Sequence, residues 1–128
     1  MNNKITDELR EMQTFLEITV GGTAVEIQER ISDLQVYLAR SGEIVAITER
    51  LMKAKKAYGL ATEVLDKIKA DKLSAGVQNA MLDAICIDEA FNAKWADRIN
   101  RTIVHQIDAN RSLLSYEKEG MRLNNTGY

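Results

Sequence analysis

Apolar residues recur along most of the chain three and four positions apart, the spacing that places them on one face of a helix. The longest unbroken run consists of Ile44, Ile47, Leu51, Ala54, Tyr58, Ala61, Leu65 and Ile68. Such an alternation is typical of a heptad seam, along which a long helix packs against a partner. The pattern predicts an all-α protein.

Turn and capping residues divide the first half of the chain into two helices. A short helix is predicted over residues 5–19, and the pair Gly21-Gly22 ends it and provides a flexible joint. Thr23 followed by Glu26 forms a capping box, which marks the start of a long helix that reaches about Asp71.

The apolar spacing changes phase once within this long helix. Leu38 and Ile44 are six residues apart, so the apolar runs on either side of the gap do not share one regular seam. The interruption falls at Ser41-Gly42, where we expect a stutter, a kink or a short turn.

The second half of the chain contains a brief helix and a second long helix. Ser74 can cap the brief helix. Asp88 can cap the second long helix, which runs to about Glu119 and stops at Gly120. By this division, residues 1–22 form a short helix with its joint, residues 23–122 form the helical body, and residues 123–128 form a frayed tail.

Two long helices joined by short elements favour a long antiparallel helical hairpin with short accessory helices. A rod of this shape has a large surface and a small interior. We therefore expect its apolar stripes to be buried by other copies of the chain, in a homo-oligomer of about two to six subunits. A compact monomeric bundle of three or four helices is the alternative.

Composition narrows the class of protein without identifying its function. The 128 residues suit a single domain, include no proline and seven glycines, and carry a formal net charge of −2. So small a net charge gives no whole-molecule attraction to nucleic acid or to an anionic membrane. Because Cys86 is the single cysteine, and neither a secretion signal nor a membrane-spanning run is present, we expect a cytoplasmic protein.

One face of the second long helix carries an unusual set of polar side chains. At about 100° per residue, those that share the face are Arg98, Arg101, His105, Asp108 and Ser112, with Arg111 beside them. A guanidinium presents a planar fork of donors that fits phosphate oxygens, and the carboxylate and hydroxyl can hold a ribose or a base. The set predicts a site for a small nucleotide-like anion. The alternatives are a salt-bridge ladder and a solvated surface.

Residues 50–72 form a locally basic band, with seven bases against three acids. If the long helices are antiparallel, we expect residues 50–58 to approach residues 105–115, so that Lys53 and Lys56 close the anion site. The band can also contact the phosphates of a nucleic acid while Tyr58 stacks on a base. The heptad position of Tyr58 favours a place in the core instead.

No catalytic, metal or cofactor pattern is present. His105, Asp108 and Ser112 stand side by side along one helix, which offers no oxyanion hole in its middle. His105 is the single histidine, so a zinc site or a di-iron bundle lacks ligands. We therefore expect a non-enzymatic protein with no cofactor and no bound metal.

Three segments of the chain carry a resemblance to known proteins. They are Leu38–Glu43, Ser74–Ala80 and Trp95–Tyr116, and the likeness covers most of residues 30–122. On them the chain resembles small all-helical proteins of phages and mobile elements of Bacteroides-type bacteria. That family has no described activity, so the resemblance implies a genomic setting, and a host cytoplasm if a phage encodes the chain, but no site residue.

Three functions remain open. The first is a phage-type binding protein that sequesters a small nucleotide-like immune signal at a helical subunit interface, by analogy of architecture alone with phage proteins that sequester such signals. The second is a nucleic-acid-binding accessory protein of recombination or replication. The third is a structural helical interaction module.

Overall fold

The computed structural model describes residues 2–126, with side chains from Lys4 to Asn124. All regular structure in these residues is helical. The helices are α1 (Asn2–Leu16), α2 (Ala24–Gly59), α3 (Leu65–Asp71), α4 (Ala75–Ile85) and α5 (Ile87–Thr126). A π-helical turn, Leu60–Val64, joins α2 to α3, so helical backbone continues from Ala24 to Asp71. The predicted all-α class is confirmed, as is the predicted end of the first long helix.

The long helices α2 and α5 pack antiparallel. Side-chain contacts that show their register are Arg30–Gln106, Ser41–Asn100 and Lys55–Glu89. As the residue number rises on α2 it falls on α5, which is the arrangement of a helical hairpin. The predicted hairpin is confirmed, and the short helices α3 and α4 lie at its closed end.

The short helix α1 packs on both long helices and completes the core. It buries one amphipathic stripe, made of Ile5, Leu9, Met12 and Leu16. The buried apolar residues that form a cluster with this stripe are Leu34, Ile44, Ala96, Ile99, Ile103 and Ile107. The core therefore belongs to three helices, and the hairpin alone does not supply it.

Capping side chains begin two helices as predicted. Thr23 Oγ1 accepts a hydrogen bond from the Glu26 amide at 3.2 Å, and the hydroxyl donates to Glu26 Oε1 at 2.8 Å. Ser74 Oγ accepts from the Val77 amide at 3.3 Å at the start of α4. Both caps satisfy an amide that has no partner inside its own helix.

The phase change at Ser41-Gly42 does not interrupt α2, which is helical through both residues. Ser41 is fully buried, donates to the Leu38 carbonyl at 3.0 Å and accepts from Asn100 Nδ2 at 2.9 Å. Thr48 is buried two turns further along. When these small polar residues are counted, the seam of α2 keeps its spacing, so the expected stutter or short turn is wrong.

The predicted seam packs against the core only as far as Leu51. Ala54, Tyr58 and Leu65 are exposed, Tyr58 over 66% of its surface, so the core position expected for Tyr58 is wrong. The register gives the reason: α5 begins near the level of Lys55, and beyond this point α2 meets only the short α4.

Helix boundaries differ most from the prediction at α5. Asp88 is not the cap but lies in the first turn, where its carboxylate suits the positive end of the helix dipole. Gly120 does not end the helix, which continues to Thr126. The predicted frayed tail is therefore helical as far as Thr126, and residues 127–128 lie outside the described residues. The C-cap residue of helix α3 is Lys72, which adopts the left-handed conformation with a φ of 51°.

A buried arginine joins the three core helices at the end of α1. Arg30 is 7% exposed, and its Nη2 donates to the Phe15 carbonyl oxygen and to Gln106 Oε1, each at 3.0 Å. The guanidinium carbon lies 3.9 Å from the centre of the Phe15 ring, a cation–π contact. Gln106 Nε2 donates to the Leu16 carbonyl at 3.0 Å. Side chains of α2 and α5 thus satisfy carbonyls at the end of α1.

The groups in direct contact with this buried charge are neutral. Burial lowers the pKa of Arg30, and the charge of Asp33 raises it in partial compensation. Within residues 4–124 the guanidinium of Arg30 forms no ion pair, so oxygen atoms and an aromatic ring replace its water. Because a guanidinium keeps its proton inside proteins, this charge persists in the folded state.

We predict that Arg30→Met lowers the free energy of unfolding by about 2–4 kcal/mol, because Gln106 Oε1 loses its donor, the Phe15 carbonyl keeps only the amide of Ile18, and the cation–π contact is lost. Urea denaturation followed by circular dichroism measures the change. Arg40→Met is the matched control, since Arg40 is partly exposed and its loss should cost about 1 kcal/mol or less. Equal losses in the two variants would show that Arg30 has no special role.

An ion pair between Glu8 and Arg40 also links α1 to α2. Arg40 Nε and Nη2 lie 2.9 and 2.7 Å from the two carboxylate oxygens of Glu8, and Arg40 pairs with Glu43 as well. The hydrogen bond from Arg40 holds the pKa of Glu8 below its ordinary value. Since the folded pKa is the lower one, the pair stabilises above the unfolded pKa, and this contribution is lost as pH falls through the folded pKa.

We predict that Glu8→Gln destabilises the protein near pH 7, and that the difference from the parent protein disappears as pH falls through the lowered pKa of Glu8 in the folded state. Urea unfolding at a series of pH values measures both proteins. Asp7→Asn is the control, because Asp7 forms an exposed pair with Arg10 at 3.6 Å and should matter little at any pH. A penalty for Glu8→Gln that is constant with pH would overturn the assignment.

Candidate binding surfaces on α5

The side chains predicted to form the anion site lie on the outer face of α5. All six are exposed, namely Arg98, Arg101, His105, Asp108, Arg111 and Ser112. The opposite side of the helix carries Ile99, Ile103 and Ile107, which are buried in the core. The six residues do share the solvent side of one helix, but residues 2–126 place no enclosing wall in front of it.

The charges of this face are only partly paired. Arg101 Nε lies 3.1 Å from Asp97 Oδ2, one turn earlier on the helix. Arg98, His105 and Arg111 take part in none of the ion pairs found within residues 4–124. Arg98 and Arg111 are therefore available to an external anion, and the face is not the continuous salt-bridge ladder that the sequence left open.

Two of the six residues meet the edge of α2. Asp108 and Arg111 line a shallow hollow of about 160 Å³ with Gln35 and Leu38. Sites for small molecules usually measure about 300–1,000 Å³, so this hollow is too small to enclose a nucleotide.

The register separates Lys53 and Lys56 from this face. Lys56 Nζ lies 3.4 Å from Asp83 of α4, at the closed end of the hairpin. His105 is beside the part of α2 near residues 31–36, which is about 30 Å from Lys53 at 1.5 Å per residue. The prediction that Lys53 and Lys56 close a site with residues 105–115 is wrong. In the packed hairpin this part of α2 lies level with α4 and the start of α5.

A hollow at the N-terminal end of the outer face combines aromatic and basic side chains. It measures about 410 Å³ and is lined by Phe91, Lys94, Trp95 and Arg98, and we call it the aromatic hollow. The ring centres of Phe91 and Trp95 are 5.9 Å apart, with the planes tilted by 48°. Trp95 Nε1 donates to Gln13 Oε1 of α1 at 3.4 Å, which holds the indole in place.

Of the residues that line the aromatic hollow, the sequence predicts only Arg98 as a site residue. Phe91 precedes Trp95, Ile99 and Ile103 at a regular spacing of four, which favours a place on the apolar side of α5, but its side chain is 64% exposed. The core side of α5 runs through Ala96 and Ile99 and leaves Phe91 on the flank. The available signal was the spacing of Phe91, Lys94 and Arg98, which puts them on one helical face.

The C-terminal segment of α5, residues 113–126, extends past the start of α2. Because Arg30 lies beside Gln106, Ala24 is level with about residue 112 of the antiparallel helix. At 1.5 Å per residue, the segment projects by roughly 20 Å. Its large apolar side chains with exposed surface are Leu113, Tyr116, Met121 and Leu123. The projecting end of the helix therefore exposes large apolar side chains beside charged ones such as Lys118, Glu119 and Arg122.

Other reactive residues form no cluster in the part of the chain that the structure describes. Cys86 is fully buried at the turn between α4 and α5. Within the same residues, histidine, cysteine, aspartate and glutamate side chains do not gather in the groups of three that a metal ion needs. No helix of residues 2–126 contains a stretch that is both long and apolar enough to cross a bilayer.

Comparison with protein-family models, with curated proteins and with solved structures finds no match to this chain. The resemblance to proteins of phages and mobile elements therefore stays a prediction. The surfaces of α5 and the register of the hairpin provide the grounds for a functional proposal.

Proposed function

We propose that the chain is a non-enzymatic helical interaction module that associates with further copies of itself through the C-terminal segment of α5. The observation that carries this proposal is the projection of the segment past the start of α2 with large apolar side chains exposed. Core residues of α1 and α2 support the earlier part of α5. The segment has no equivalent support among the described residues.

The energetics of the segment favour a partner. In proteins most of the stability of a helix comes from packing of its apolar face, and this segment lacks such packing among the described residues. Covering its apolar side chains gains about 25 cal/mol for each Å² removed from water. Leu113, Tyr116 and Leu123 lie on one side of the helix, and a second copy presents the same stripe. Two segments can therefore cover each other about a two-fold axis.

Two further details, a glycine and a buried amide, also favour association. Gly120 lies on the stripe between Tyr116 and Leu123, and a Cβ there would meet nothing within 4 Å. Glycine inside a helix costs about 1 kcal/mol relative to alanine, and its value is to let another backbone approach. At the base of the segment, the buried Asn110 Oδ1 has no hydrogen-bond partner within residues 4–124.

We predict that the parent protein sediments as an oligomer and that the double substitution Leu113→Asp, Tyr116→Asp yields a monomer, because an interface would have to bury unpaired carboxylates. Sedimentation velocity at several concentrations measures the state, and circular dichroism checks the fold. Val36→Asp is the control, since Val36 is equally apolar, exposed and outside the segment. A monomeric parent protein, or an oligomer that survives the double substitution, would contradict the proposal.

Gly120→Ala tests the close approach of two segments. In a monomer it should stabilise the helix by about 1 kcal/mol and do nothing else. Between two packed helices the added methyl group should hold the segments apart and weaken association in the same sedimentation experiment. Association that is unchanged by Gly120→Ala would place the contact away from this glycine.

The aromatic hollow favours a second candidate function, the binding of a small nucleotide-like anion. A base can stack on Phe91 or Trp95 while Lys94 and Arg98 meet a phosphate, a combination that proteins use for nucleotides and single strands. Its volume of about 410 Å³ lies within the usual range for small-molecule sites. This arrangement supports sequestration of a small nucleotide-like signal.

A nucleic-acid strand is the less favoured ligand. In the basic band, Lys55 and Lys56 approach Glu89 and Asp83 at 3.9 and 3.4 Å, which reduces the charge available to phosphates. The net charge of the chain is −2, so long-range attraction to a polyanion is also weak.

We predict that a cyclic dinucleotide or a cyclic ADP-ribose isomer changes the fluorescence of Trp95, the single tryptophan, with calorimetry giving the stoichiometry. Arg98→Ala should weaken binding about tenfold, because one charged hydrogen bond is lost, and Arg10→Ala should not. If no member of the panel binds, this candidate function fails. Retention of single-stranded DNA that weakens steeply with salt would instead indicate the nucleic-acid function.

A further inference from the structure

A separate cleft lies between the start of α1 and the middle of α2. It measures about 500 Å³ and is lined by Lys4, Ile5, Arg40, Ile47, Arg50 and Leu51. The cleft shares no residue with the aromatic hollow or with the C-terminal segment. Ile47 and Leu51 stay partly exposed here although they pack at the edge of the core. The floor of the cleft is therefore apolar and open to solvent.

The rim of the cleft is basic, and some of its charged side chains form no ion pair within residues 4–124. Arg40 is held by Glu8 and Glu43. Lys4 acts on Glu8 through its charge, but forms no ion pair within residues 4–124. Arg50 likewise appears in none of the ion pairs or side-chain hydrogen bonds of these residues. Two available cations thus stand beside an apolar floor.

We propose that this cleft binds an amphiphilic anion with a single alkyl chain, of which a fatty-acid carboxylate is the simplest example. The alkyl chain lies along Ile5, Ile47 and Leu51, and its removal from water drives binding. The carboxylate lies between Lys4 and Arg50, whose planar guanidinium fits two carboxylate oxygens. A small anion lacks the contact with the floor, and a neutral chain leaves both cations unpaired, so the cleft selects a ligand with both parts.

Calorimetry with decanoate, at concentrations where it is monomeric, tests the proposal on the full chain. Decanoate should bind, whereas acetate, decanol and decyltrimethylammonium should bind at least about tenfold more weakly. Methyl NMR locates the ligand: signals of Ile5, Ile47 and Leu51 should shift, and that of Ile27, at the other end of the bundle, should not. Equal binding of decanoate and decyltrimethylammonium, or shifts confined to other methyl groups, would overturn the proposal.

Charge variants separate this cleft from general attraction to the protein. The double substitution Lys4→Gln, Arg50→Gln should weaken decanoate binding about three- to tenfold, in line with partly exposed ion pairs. Arg10→Gln, Lys53→Gln is the matched control, because it removes the same charge from exposed residues outside the cleft. If both double variants bind decanoate equally well, the cleft is not the site. None of these outcomes depends on self-association through the C-terminal segment.

Discussion

The buried charge of Arg30 is the constraint on which the three-helix core depends. A guanidinium that has left water must find oxygen atoms to replace it, and these come from the end of α1 and from Gln106 of α5. If any of the three helices separates at this end, the guanidinium of Arg30 becomes exposed to water or loses a hydrogen-bond acceptor. The network therefore couples the position of α1 to the register of the hairpin. Apolar packing alone does not achieve this, because the hydrophobic effect has no preferred direction.

The register set in this way decides which surfaces are left for function. It puts the closed end of the hairpin, with its paired lysines, far from residues 105–115 of α5. It leaves the end of α5 projecting past the start of α2, and it opens the cleft between α1 and α2. The projecting end of α5 and the cleft between α1 and α2 thus both follow from the way the three helices pack.

The helices themselves were predictable because their signals are local. Thr23 and Ser74 cap helices through contacts three residues away, and the three–four spacing shows which stretches are helical. The errors arise where a signal depends on a partner. Tyr58 keeps the seam spacing but has no long helix opposite it, and Phe91 lies on the flank of the face that α1 and α2 cover. The face of a helix follows from periodicity, but the presence of a neighbour does not.

The sequence by itself determined the helical class and the hairpin, since these follow from spacing and capping. Only the tertiary structure decided that Arg30 and Ser41 belong to the core and that Lys53 is remote from His105. It also decided where α5 extends past the start of α2. The physical reason is that burial of a polar group depends on the partners it meets across the fold. Those partners lie far away along the chain, as Arg30 and Gln106 do, and no local pattern reveals them.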